Sequence, residues 1–82
     1  MHKIIYQAKA IRQLRKIANH TEIMNKIKNL VNMPNCTNVK SLTNHKYNYR
    51  LRVGNYRVFF NFDGFINIVS IEEVKKRDEH TY

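Results

Sequence analysis

Residues 47–62 run Tyr47-Asn48-Tyr49-Arg50-Leu51-Arg52-Val53-Gly54-Asn55-Tyr56-Arg57-Val58-Phe59-Phe60-Asn61-Phe62. Apolar and polar residues alternate with a period of two on both sides of the Gly54-Asn55 dipeptide. This predicts strands over 47–53 and 56–62, joined by a two-residue type I′ or II′ turn in which Gly supplies the positive φ. Such a turn pairs Val53 with Tyr56, Arg52 with Arg57 and Arg50 with Phe59. Residues opposite one another share a face. One face therefore gathers Tyr47, Tyr49, Leu51, Val53, Tyr56, Val58, Phe60 and Phe62, which is a core face. The other gathers Asn48, Arg50, Arg52, Arg57, Phe59 and Asn61. Arg52 opposite Arg57 sets like charges together, at a cost of a few tenths to about 1 kcal/mol. A polyanion would supply the missing counter-charge. Phe59, expected to be exposed among the arginines, offers a flat surface for a nucleobase.

Working outward, a second turn is expected at Asp63-Gly64, followed by a last strand over 65–71 that is apolar on both faces and so suits a central position. The charged tail 72–82 is expected to be partly helical. Upstream, residues 2–6 read as a short strand. From Gln7 to about Asn19, Ala10, Ile11, Leu14, Ile17 and Ala18 recur at helical spacing. Lys9, Arg12, Gln13, Arg15 and Lys16 give that helix a basic outer face. Thr21 is the expected N-cap of a second helix, with Glu22 in its first turn and Ile23, Ile27, Leu30 and Val31 as its apolar stripe. Pro34 ends it, and 34–46 reads as loop with at most one helical turn. The fold class is α+β: an N-terminal strand, an antiparallel helical hairpin, then three antiparallel strands in a small twisted sheet.

The chain has 82 residues, room for one domain over 1–82. Fifteen Lys and Arg against six Asp and Glu give a net charge of +9. That excess attracts nucleic acid, an acidic protein or an anionic membrane. The single cysteine, Cys36, excludes an internal disulfide and reads as a half-buried loop thiol. With no leader pattern and no long apolar run, the sequence points to a soluble cytoplasmic protein without a membrane partner. Four scattered histidines, one cysteine and no close carboxylate pair make no ligand set, so no metal or cofactor is expected. His2 and His20 read as surface residues and His45 as a loop residue.

The stretch Tyr49–Phe60 strongly resembles the central hairpin of the RelE/ParE superfamily of bacterial toxins. The order of elements is similar over the whole chain, and Lys75-Lys76-Arg77-Asp78-Glu79 looks like the basic motif that follows the family's last strand. The resemblance implies a RelE-like, microbial-ribonuclease-like domain acting as a type II toxin. In its RelE-like branch it implies a ribosome-dependent endoribonuclease that cleaves mRNA in the A site by 2′-hydroxyl attack, without metal, and so inhibits translation. By position, Arg57 would stabilise the pentacoordinate phosphate. Lys76 or Arg77 would be the basic residue after the last strand, and Tyr82 the closing tyrosine.

Arg50 and Asn48 stand where relatives often carry Lys. An Arg holds its proton and an Asn carries no charge, so neither can accept the 2′-hydroxyl proton. His80 is the leading candidate for that role, with Lys46 and His45 weaker ones. Arg50, Arg57, Lys76, Arg77, His80 and Tyr82 form the implied catalytic set. Lys46, Asn48, Arg52, Phe59 and Lys75, with Arg12, Arg15 and Lys16 on the first helix, are the expected RNA-binding set. The partners the resemblance implies are the ribosome, mRNA and a cognate acidic antitoxin. The alternatives are a ParE-like inhibitor of DNA gyrase and a non-catalytic RNA- or protein-binding relative.

Overall fold

A computed structural model of the chain describes residues 2–77. The elements are β1 (Lys3–Tyr6), α1 (Ala8–Arg15), α2 (His20–Ile27), a 3-10 turn (Lys28–Asn32), β2 (Val39–Ser41), β3 (Tyr49–Val53), β4 (Tyr56–Asp63) and β5 (Ile68–Lys76). The sheet order is β1-β5-β4-β3-β2, with β1 parallel to β5 and the other neighbours antiparallel. The α+β class holds, with five strands in the sheet. The hairpin register is the expected one throughout: Val53 faces Tyr56, Arg52 faces Arg57, Arg50 faces Phe59. Gly54 has φ 54° and Asn55 is not in the positive-φ region, which selects type II′ over type I′.

One face of the sheet packs on the helices. Ala10 and Leu14 of α1, Ile23 and Ile27 of α2, and Leu30 meet Leu51, Val53, Val58, Phe60, Val69, Ile71 and Val74. These are the positions that alternation assigns to one side.

Several boundaries differ from the sequence expectation, each for a local reason. Helix α1 stops at Arg15, not near Asn19. Lys16 N–H and Ile17 N–H bond three residues back, to Gln13 O and Leu14 O, and this tightening ends the helix. Helix α2 accordingly starts at His20, with Asn19 as N-cap, so Thr21 lies inside the helix. The 34–46 segment contains β2, whose three residues give β3 an outer partner; Arg52 N–H also donates to Asn38 O.

Strand β3 begins at Tyr49, not Tyr47. Leu42 N–H bonds Asn48 O and closes a loop that carries Tyr47 off the core face. The last strand is 68–76, not 65–71, and residues 72–76 of the tail are strand, not helix. A four-residue turn replaces the expected two-residue one. Asp63 Oδ1 accepts Phe65 N–H, Asn67 takes φ 57°, and Phe65 is left 97% exposed. His2 is half-buried: its Nε2 lies 2.7 Å from Met33 O and its ring meets Phe62 edge-on. His20 is exposed and Cys36 half-buried, as expected, and burial pushes the Cys36 thiol pKa up.

A bulge in β5 shapes the other face. Phe59 pairs with Glu73 but Phe60 pairs with Ile71, so Glu72 is the extra residue. Beyond the bulge, Glu73 and Lys75 align with Phe59 and Arg57 on the face away from the helices.

Candidate nucleic-acid interface

Two rows of side chains cross that face. Arg52, Arg57 and Lys75 lie directly opposite one another on β3, β4 and β5. Lys40, Arg50, Phe59 and Glu73 form the next row, from β2 to β5. Neighbouring strands are about 4.8 Å apart, so each row places its cations within about 10 Å. Arg77 joins them because its N–H donates to Asn55 O, which folds the end of β5 back against the Gly54-Asn55 turn. Arg50, Arg52, Arg57 and Arg77 then line one cleft of about 120 Å³ with Gly54 and Tyr56.

Among the described residues, neither Arg50 Nε nor Arg57 Nε has a hydrogen-bond partner, although both atoms are buried. A buried donor left unmade is costly. Four guanidinium groups around a small cleft offer forked donors that match phosphate oxygens. The arrangement can bind and electrostatically stabilise an oxyanion on phosphorus.

Glu73 is the counterweight, a carboxylate only 7% exposed. Lys9 Nζ from α1 lies 3.2 Å from Oε1 and Lys75 Nζ lies 3.6 Å from it. The Tyr47 phenol faces the same carboxylate closely enough for each to shift the other's pKa. Burial pushes the Glu73 pKa up, but Lys9, Tyr47 and Lys75 together outweigh it and hold the pKa below the usual value. For Tyr47, burial and the Glu73 carboxylate push the phenol pKa up. A depressed carboxylate stabilises the fold above its unfolded pKa, near 4.3, and that contribution is lost as pH falls through the folded value. Denaturant unfolding should therefore show Glu73→Gln less stable than wild type by about 1 kcal/mol at pH 7, because both lysines are half exposed and screened. The difference should shrink as pH falls below about 4.3 and be gone once the carboxylate is protonated in the folded state as well. A gap that does not shrink with falling pH below about 4.3 would contradict the charge-based account.

The aromatic feature differs from expectation. Phe59 is 6% exposed, not open among the arginines. The 42–48 loop folds over it: His45 stacks on Phe59 with ring centroids 5.1 Å apart and planes at 13°, and Tyr47 packs at 5.9 Å. Neither Tyr47, Glu73, Lys40 nor this role of His45 emerges from strand alternation, because each depends on the loop, the edge strand or the bulge.

The other sequence-derived residues fall as follows. Lys75 is on the basic face, whereas Lys76, opposite Tyr56, alternates away from it. Lys46 is exposed, with Nζ 5.5 Å from the Tyr47 ring centre. Asn48 N–H donates to Asn61 Oδ1 at the far end of the face. Arg12, Arg15 and Lys16 are exposed at α1 and its C-cap, and none lines the cleft. His80 and Tyr82 lie outside the described residues. Among the described residues, no group of three His, Cys, Asp or Glu could hold a metal ion, and no helix is long and apolar enough to cross a membrane.

The α+β fold is similar to that of RelE-type toxins. The chain is similar to the isolated RelE toxin of E. coli, with TM-score 0.79 and 14% identity over 96% of this chain and 87% of that one. It is similar to the archaeal RelE–RelB complex of Pyrococcus horikoshii, with TM-score 0.78 and 19% identity over 95% and 97%. A RelBE toxin–antitoxin complex from Mycobacterium tuberculosis matches with TM-score 0.77 and 21% identity over 93% and 98%. No curated protein matches the sequence. The model of the ParE toxin of the type II toxin–antitoxin system parDE matches residues 4–80. The chain therefore belongs to the ParE toxin family, within the RelE/ParE superfamily of type II toxins.

Proposed function

We propose that this toxin is a metal-independent endoribonuclease that cuts mRNA on the ribosome and so stops translation. The observation that carries the reading is the cleft of Arg50, Arg52, Arg57 and Arg77, with two buried guanidinium nitrogens that have no partner among the described residues. In this reaction the 2′-oxygen attacks the adjacent phosphorus and the 5′-oxygen leaves, giving a 2′,3′-cyclic phosphate. Charge builds on the non-bridging oxygens, where preorganised guanidinium donors act without reorganisation. Arg57, in the middle of its row between Arg52 and Lys75, takes the central share.

The arginines cannot accept the proton. Nor does His45 suit the role, since Tyr47 N–H donates to its Nδ1 at 3.0 Å and leaves the proton of the neutral ring on Nε2. The proton acceptor and donor are assigned to His80 and Tyr82. A cognate antitoxin with an acidic segment that folds on binding would neutralise the face.

The match to the ParE model favours a second reading, inhibition of DNA gyrase by binding alone. Primer extension on translated and untranslated copies of one message, run beside an assay for gyrase–DNA cleavage complexes, separates them. The expected result is new 5′ ends inside the translated frame only. Intact mRNA with accumulated gyrase complexes would overturn it.

A further inference from the structure

We propose that His45 is a nucleobase-stacking platform at the edge of the arginine cleft, a role that rests on the nucleic-acid reading of this face. The ring is exposed and its inner side lies nearly parallel on buried Phe59. Its orientation is built, not incidental. Tyr47 N–H donates to Nδ1 at 3.0 Å. Leu42 N–H bonds Asn48 O, and Asn48 N–H bonds Asn61 Oδ1, so the loop is pinned at its neck and to β4. Asn44 turns the chain at φ 53°, just before the ring. Tyr47, itself buried, packs beside Phe59 and closes the underside.

The outer face of the imidazole is thus a preorganised flat surface with Nε2–H at its rim. Phe59 lies directly opposite Arg50, and the Arg52–Arg57 row is two residues further along the strands, about 6.7 Å away. A base stacked on His45 therefore has a phosphate site within reach in the cleft. Aromatic stacking of this kind tolerates any base and carries about 1–3 kcal/mol per base, a loss of roughly 5- to 150-fold when removed.

The test uses the full chain and a fluorescent single-stranded 2′-O-methyl oligonucleotide containing 2-aminopurine, which cannot be cut by 2′-hydroxyl attack. Removal of the ring by Ala would expose Phe59 to the base, so the informative variant is His45→Leu, which keeps Phe59 covered without a π face. Thermal melting of each variant checks folding. Wild type should bind with quenching of one 2-aminopurine position, His45→Leu should bind at least 5-fold more weakly without that quenching, and His45→Phe should restore both. An abasic site at the quenched position should make wild type and His45→Leu equal. Unchanged affinity and quenching in folded His45→Leu, or no binding by wild type, overturns the proposal. Binding and quenching by a wild type that cuts no mRNA leaves the platform standing and removes only the endoribonuclease reading.

Discussion

Arg57→Ala should lower cleavage of translated mRNA by about 10²- to 10³-fold, the usual loss when one preorganised donor to a developing oxyanion is removed. Its effect on stability should have the opposite sign. Arg57 sits between Arg52 and Lys75 in one cross-strand row, with its Nε buried and unpartnered among the described residues. Truncation removes a like-charge contact and an unmade donor together. Urea unfolding should show the variant equal to wild type or more stable by a few tenths to about 1 kcal/mol. Arg57→Lys should fall between, since an ammonium keeps the charge but not the planar fork. Primer extension for activity and urea curves for stability read the two signs separately. Full toxicity from folded Arg57→Ala would remove Arg57 from the chemistry. Lost activity with an equally large loss of stability would make it a structural residue.

The cleft was legible in the sequence because a two-residue turn leaves only one register. Once Gly54-Asn55 is taken as the turn, Arg50, Arg52 and Arg57 must share a face. Arg77 was legible only as one of two neighbouring candidates. What brings Arg77 and not Lys76 to the cleft is strand alternation along a β5 that runs to Lys76, together with the Arg77 N–H bond to Asn55 O. The reading of residues 65–71 as strand missed this. Phe65 and Ile66 have strand-like apolarity, yet they occupy a turn that the Asp63 side chain and the left-handed Asn67 close locally. A three-residue strand such as β2 carries too short a pattern to see, and it forms because β3 presents an unpaired edge.

The cover on Phe59 was illegible for a different reason. Alternation correctly places Phe59 on the arginine side, but it says nothing of the 42–48 loop just before β3, which folds back over that side. His45 and Tyr47 reach Phe59 only because the strand starts at Tyr49, two residues later than the alternation suggests. Glu73 is similar. One acid among several in a charged tail reads as surface charge until the bulge at Glu72 sets it opposite Phe59 and beside Lys9.

Phe60→Ala and Phe65→Ala should differ more sharply than any other pair of Phe substitutions. Phe60 is 0% exposed on β4, the middle strand, and stacks on Tyr49 at 5.5 Å and 16°. Strands on both sides and helices beneath hold the backbone in place, so the cavity cannot collapse. The cost should be about 3–5 kcal/mol. A chain of this length has roughly 4–12 kcal/mol in all, so melting should fall by roughly 12–40 °C if the variant folds at all. Phe65, 97% exposed at the β4–β5 turn, should cost no more than about 0.5 kcal/mol. Both residues are apolar and lie near one another in sequence, and a strand over 65–71 would have given Phe65 a packing role. Thermal melts of the two variants therefore test the β5 boundaries directly. A Phe65→Ala loss comparable with that of Phe60→Ala would contradict these boundaries, and with them the register that sets Glu73 and Lys75 on the basic face and Arg77 at the cleft.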